Sequence, residues 1–112
     1  MLPRKFRLTK CRDIVATIRQ GAHLTTPYAH IHYRRSNNPH ARVACIVSKK
    51  VSPLAVQRHK YQRWLRESAR AAINNQSASC DMVWMAKPKI TKLKNLKEFK
   101  ASLMPYLEKL CR

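Results

Sequence analysis

The sequence predicts a single α+β domain, an α-β sandwich with helices over a short sheet in the order α-β-β-α-β-α. Three observations carry this. Two runs of strand composition, YAHIHYRR and ARVACIVSKK, stand either side of a turn. A long helical pattern follows them, and a further apolar run, DMVWMA, follows that helix. With 112 residues the chain can bury one core but not two, so residues 1–112 are read as one unit. Its 45% hydrophobic content excludes wholesale disorder.

Residues 8 to 20 are expected to form a short helix, with Thr9 as N-cap and Arg12 and Asp13 in the first turns. Ile14, Val15 and Ile18 recur at helical spacing. Gly21, the one glycine, falls where a helix C-terminus wants a residue of positive φ. After Pro27, alternation puts Ala29, Ile31 and Tyr33 on one side of a strand and Tyr28, His30 and His32 on the other. SNNPH is a turn by composition. ARVACIVSKK is apolar nearly throughout, the pattern of a covered central strand.

The long helix runs from residue 55 to about 75, launched after Pro53 and closed by SASCD. DMVWMA is a second buried strand and KPKITKLKN a basic loop. The closing helix spans Leu96 to Leu110, with Pro105 placed to kink or interrupt it.

Charge is the abnormal feature. Twenty-four Lys and Arg against five Asp and Glu leave a net +19. Such a chain repels itself unless a polyanion neutralises it, and nucleic acid is the usual polyanion. An anionic membrane is the other candidate, but no long apolar run or lipidation signal occurs. The N-terminus lacks an apolar h-region and a small-residue cleavage site, so a cytoplasmic location is expected. Cys11, Cys45, Cys80 and Cys111 are widely spaced with no C-x-x-C pair; a disulfide framework or a zinc site is the alternative, and they are expected to be reduced, mostly buried small hydrophobes.

Placed on a wheel at about 100° per residue, the long helix separates into two faces. Tyr61, Trp64, Leu65, Ser68, Ala69 and Ala72 share the arc that can pack on a sheet. His59, Lys60, Arg63, Arg66 and Arg70 crowd the opposite arc, with Glu67 the lone carboxylate. Cations three and four residues apart repel one another unless something anionic lies across them. Arginine dominates the arc, and its planar fork grips two phosphate oxygens or stacks on a base. The arc is thus a candidate phosphate-backbone contact, while the aromatics serve the core. Lys87, Lys89, Lys92 and Lys94 form either a second phosphate patch or a solvated loop.

The stretch RVACIVSKKVSPLAVQRHKYQRWLRE resembles the signature region of the bacterial ribonuclease P protein component. That family shows a strand ending in S-K-K, a short loop, and a helix opening R-N-R-x-K-R-x-x-R-E. Ser48, Lys49, Lys50, Arg58, Arg63, Arg66 and Glu67 match it. His59 stands where the family has asparagine, Lys60 where it has arginine, Gln62 where it has lysine, and Ala44 replaces a usual glycine. FRLTKCRDI is similar to the family's R-L-x-x-x-x-D-F segment, PHARVA to its H-P-R-I-G, and CDMVWMAKP to its D-x-V-V-x-A-R/K strand. The likeness covers nearly the whole chain in order.

The resemblance implies a ribosomal-protein-S5-like sandwich with a left-handed βαβ crossover. It also implies a subunit of the ribonucleoprotein endoribonuclease that removes the 5′ leader from precursor tRNA. The catalyst there is the RNA partner with magnesium, bound mainly by that RNA and the substrate, so no catalytic residue, metal ligand or small-molecule cofactor is expected in the protein. Implied RNA contacts are Lys49, Lys50, Arg58, His59, Lys60, Arg63, Arg66 and Arg70. A cleft for the single-stranded leader would be lined by Ile14, Ile18, Tyr28, His30 and His32. The family usually has aromatics at the positions of Ile14, Ile18 and His32, because bases stack on rings.

A self-sufficient metal-dependent nuclease needs clustered carboxylates, and Asp13, Glu67, Asp81, Glu98 and Glu108 are scattered. His30 and His32, about 7 Å apart along one strand face, have the spacing for acid–base work or for a metal. No glycine-rich phosphate loop exists. A structural RNA-binder of ribosomal or RNA-chaperone type is the main alternative. A helix-turn-helix DNA reader fits poorly, since the basic helix follows a strand.

Overall fold

The computed structural model describes residues 7–8, 10–35, 41–74 and 80–107. Seven principal elements follow one another: α1 (Cys11–Gln20), β1 (Ala22–Thr25), β2 (Ala29–Arg35), β3 (Arg42–Ile46), α2 (Ala55–Asn74), β4 (Cys80–Ala86) and α3 (Leu96–Leu107). The three helices and the strands β2, β3 and β4 match the predicted order. Strand β1 is additional, and the basic loop after β4 contains a short 3₁₀ turn, Pro88–Lys92.

The four strands lie in the order β1-β2-β4-β3. Strands β1 and β2 form an antiparallel hairpin, β2 pairs antiparallel with β4, and β3 runs parallel to β4. Parallel neighbours need a crossover, and α2 supplies it. The outer edge of β3 is met by the N-terminal segment, where the Leu8 N–H donates to the Val43 carbonyl at 2.8 Å.

Alternation in the strands divides the core in two. On one side Ile31, Val43, Met82 and Trp84 pack against Tyr61, Trp64, Leu65 and Ala69 of α2 and Phe99 and Leu103 of α3. All ten are buried. Trp64 meets Tyr61 edge-on with ring centroids 5.1 Å apart. The inward face of α2 is therefore the one the wheel picks, though the Ala72 side chain lies outside the description. On the other side a smaller cluster of Leu8, Ala44 and Val83 is lined by the half-buried Ile14 and Ile18 of α1, with Ile46 and Met85.

A charged network ties the layers together. Asp81 of β4 is buried, and its two oxygens accept the Arg42 guanidinium side by side, each at 2.9 Å. Arg34 approaches the same carboxylate at 3.9 Å, and Arg42 also reaches Asp13 of α1 at 3.7 Å. The hydrogen bonds from Arg42 to Asp81, with the charges of Asp81 and Asp13, hold its guanidinium further toward the charged form, against burial.

Several expectations are corrected. Gly21 closes α1 in extended backbone, φ −79°, ψ 165°, not with positive φ. It is required by close approach instead: a Cβ there would lie 2.4 Å from the Tyr33 carbonyl oxygen and 2.6 Å from that of Thr17. The α1 N-cap residue is Lys10, without a side-chain cap, and Thr9 lies outside the described residues, as do SNNP and His40. Pro105 does not interrupt α3, which continues to Leu107; the predicted end at Leu110 is outside the description. Cys80 is buried as expected but disulfide-bonded, not reduced. Cys11 and Cys45 are free thiols, the first exposed. Burial pushes the Cys45 thiol up to about 12, with Arg66 acting in the opposite sense.

Candidate nucleic-acid interface

The loop from β3 into α2 is built to present cations. Val47 and Val51 are buried and anchor it, and the Val51 N–H donates to the Ser48 carbonyl at 3.1 Å. Lys49 and Lys50, between those anchors, are exposed. Ser52 Oγ accepts the Leu54 N–H at 3.3 Å and donates to Gln57 Oε1 at 2.6 Å, fastening the first turn of α2. Arg58 folds back over this junction, and its Nη1 donates to the Ser52 and Pro53 carbonyls at 3.1 and 2.9 Å. Of the predicted RNA contacts, Arg58 is thus a brace of the lysine loop as well as a surface cation.

Along α2, His59, Lys60, Arg63, Arg66 and Arg70 are exposed together on the arc opposite the core. Lys60 sits at the border of the two faces, its ammonium 5.4 Å from the Tyr61 ring centre and 5.3 Å from that of Trp64. That placement gains cation–π attraction while leaving the charge at the surface. Leu54 and Val56, strongly exposed, flank the arc at its N-terminal end. The geometry offers spaced guanidinium and ammonium groups to a phosphate chain.

A second surface lies on the opposite side of the sheet. His30 and His32 of β2 face the way of their register partners Met85 and Val83, beside Ile14 and Ile18 of α1. Four of the five predicted cleft residues therefore share one surface. Tyr28 does not extend it: the residue stands in the bend before β2, where strand alternation has not begun, and packs against the larger core.

His23 of β1, which the sequence reading leaves out, joins this surface. It is the register partner of His32, and its ring centroid lies 5.7 Å from that of His32 and 6.4 Å from that of His30. The signal was present in HLTTPYAHIH, a hairpin with a short Thr-Pro turn. Buried Thr26 closes that turn, its Oγ1 donating to the Ala29 carbonyl at 2.8 Å and accepting the Ala29 N–H at 3.0 Å. His30 Nδ1 lies 3.3 Å from Thr25 Oγ1, while His32 Nδ1 is buried with no hydrogen-bond partner. Partial burial, then the charge of Lys87 and the neighbouring imidazoles, push His30 below its ordinary 6.5. Burial and His23 do the same to His32.

Among the described residues, no group of three or more His, Cys, Asp or Glu side chains could hold a metal ion. Asp13 and Asp81 are both engaged by Arg42, and Glu98 accepts the Lys94 N–H at 2.8 Å. Engaged in this way, these three carboxylates do not fit a magnesium ion. No helix among the described residues is long and apolar enough to cross a membrane.

Known proteins give this geometry a family. The family model described as Ribonuclease P matches residues 2–111. A ribonuclease P protein component from Mycobacterium avium is 36% identical over 93 residues, covering 79% of this chain and 77% of its own. One from Mycolicibacterium vanbaalenii is 36% identical over 92 residues, covering 80% and 76%. The ribonuclease P protein of Staphylococcus aureus superposes with a TM-score of 0.83 at 20% identity, over 95% of each chain. That of Thermotoga maritima, in complex with 1-(4-fluorophenyl)-2-thiourea, gives 0.81 at 21% identity over 93% of this chain and 99% of that one. The two structures share the fold; the sequence matches, spanning most of the chain, carry the kinship. The chain belongs to the ribonuclease P protein family.

Proposed function

We propose that this protein is the protein subunit of ribonuclease P, working with a catalytic RNA in the cytoplasm to remove the 5′ leader of precursor tRNA. One observation carries the reading beyond family membership: the cationic arc of α2 and the Lys49–Lys50 loop project together from a rigid core, with Glu67 the sole carboxylate of the helix. A surface so charged supports polyanion binding, and its arginines suit phosphate oxygens. The arc serves the catalytic RNA, and the sheet face bearing His30 and His32 serves the single-stranded leader. The chain contributes binding and positioning; magnesium in that reaction belongs to the RNA and the substrate phosphates.

The test is magnesium-dependent cleavage of a leader-bearing precursor tRNA near physiological salt, with protein alone, the organism's ribonuclease P RNA alone, and both. Efficient cutting by the combination only is expected. The double variant Arg63→Gln/Arg66→Gln should lose the gain while remaining folded. Its affinity for the RNA should also become less salt-sensitive: two phosphate contacts at about 0.7–0.9 each make the log–log slope shallower by about 1.4–1.8. Cleavage by the protein alone would overturn the reading, and binding without any help to cleavage would favour a structural RNA-binder.

A further inference from the structure

Three histidines gather on the open sheet face, and imidazole is the side chain whose unperturbed charge change lies near neutral pH. His23 and His32 are cross-strand partners, and His30 lies on the same face two residues from His32. Their rings lie close enough for each protonation to disfavour the next. Among the described residues, the elements around them supply no compensating anion. Strand β1 offers Thr25, and β4 offers Val83 and Met85, with the cation Lys87 just beyond it. From α1 come Ile14 and Ile18, while Arg12 and Arg19 are exposed and Asp13 is held by Arg42. Arg34, further along β2, is committed to Asp81 and approaches Gln20.

We propose that His23, His30 and His32 form a proton-coupled contact for the phosphodiester backbone of a single-stranded RNA, gripping it more tightly as pH falls from about 8 to about 6. This rests on the leader-binding reading of that face and adds its regulation. In the free protein partial burial, then Lys87 and the neighbouring imidazoles, push His30 and His32 of the cluster toward the neutral form. A phosphate laid across it provides the absent anion and favours the charged imidazoles. His32 Nδ1, buried and unpartnered, is a further group that an arriving oxygen can satisfy. Binding therefore takes up protons, and by linkage a ligand that brings protons with it binds better where protons are abundant. When neutral, the same rings remain flat surfaces on which bases stack, so binding at high pH is weakened and not abolished.

The experiment uses the complex of this protein with its catalytic RNA. Affinity is measured for two precursor tRNAs, one with a long leader and one with a single-nucleotide leader, at about pH 6 and about pH 8. Their ratio cancels every pH effect not due to the leader. The long-leader advantage is expected to grow about three- to tenfold at the lower pH, the scale of one coupled proton. The variant His23→Asn/His32→Asn should lose most of that growth and show a smaller leader advantage at both pH values. Imidazole resonances of the unmodified protein, titrated with and without a short single-stranded RNA, give a reading that needs no variant: those of His30 and His32 should titrate at higher pH when RNA is bound. A leader advantage independent of pH, with unmoved imidazoles, overturns the proton coupling and leaves the leader reading intact. No leader advantage at either pH removes the leader reading itself, and this proposal with it.

Discussion

The two faces of the sheet are built to opposite specifications. Toward α2 and α3, Trp84, Met82, Ile31, Leu65, Phe99 and Leu103 are completely buried and close a continuous apolar layer. Toward α1, the buried apolar cluster among the described residues is only Leu8, Ala44 and Val83, and Ile14, Ile18, His30 and His32 are left half-covered. One short helix over four strands cannot seal the second face. The contrast teaches where this fold keeps its stability and where it leaves a surface open. The sealed face holds the position of the basic arc, because the residues that bury Tyr61 and Trp64 fix which side of α2 looks outward.

The largest test of that contrast is truncation on each side. Phe99→Ala should cost about 3–5 kcal/mol through lost burial and a residual cavity. Ile18→Ala, at a half-covered position, should cost less than about 2 kcal/mol. Denaturant midpoints with unchanged slopes would read both, and equal costs would mean that the open face is a core in its own right. Next comes Gly21→Ala, which forces a Cβ against two backbone carbonyls where α1 turns into β1. A loss of about 1–3 kcal/mol is expected, although the backbone angles there suit alanine. A neutral outcome would mean that α1 can lift off β2 freely.

Ser68→Ala should move stability the other way. The hydroxyl is buried on the sealed side of α2 without a hydrogen-bond partner. Its removal should raise stability by about 1 kcal/mol, since an unsatisfied polar group is replaced by a better helix former. The smallest effect concerns pH. His30 and His32 titrate below their ordinary 6.5 in the folded protein, so between those values the unfolded chain binds more protons. Their contribution to stability is present above about pH 6.5 and is lost as pH falls toward the depressed values. Thermal midpoints of the free protein at about pH 7.5 and pH 5.5 should show a slight loss at the lower pH. The loss should shrink in His30→Asn/His32→Asn, and an unchanged difference would assign it to other groups.

Much of this molecule is legible in its residues. Periodicity alone separates the inward and outward arcs of α2, because burial at 3.6-residue spacing leaves a direct mark on composition. The net charge points to a polyanion, and the alternation of Ala29, Ile31 and Tyr33 with His30 and His32 places the latter pair off the main core. The family pattern from Ser48 to Glu67 adds the kinship, which the relatives establish. All these features depend on neighbours within a few residues along the chain.

The remainder depended on what lies across from what. Strand β1 is too short to announce itself and exists because β2 pairs with it. His23 becomes a site residue only through that pairing, and Tyr28 leaves the site because the chain bends before the strand starts. Gly21 is fixed by the carbonyls of Tyr33 and Thr17 and not by its own torsion angles. The Asp13–Arg42–Asp81 network likewise joins residues far apart in sequence. Local patterns record which face of an element must be dry, whereas close approach, pairing and charge neutralisation are properties of the folded space between elements, which tertiary structure alone decides.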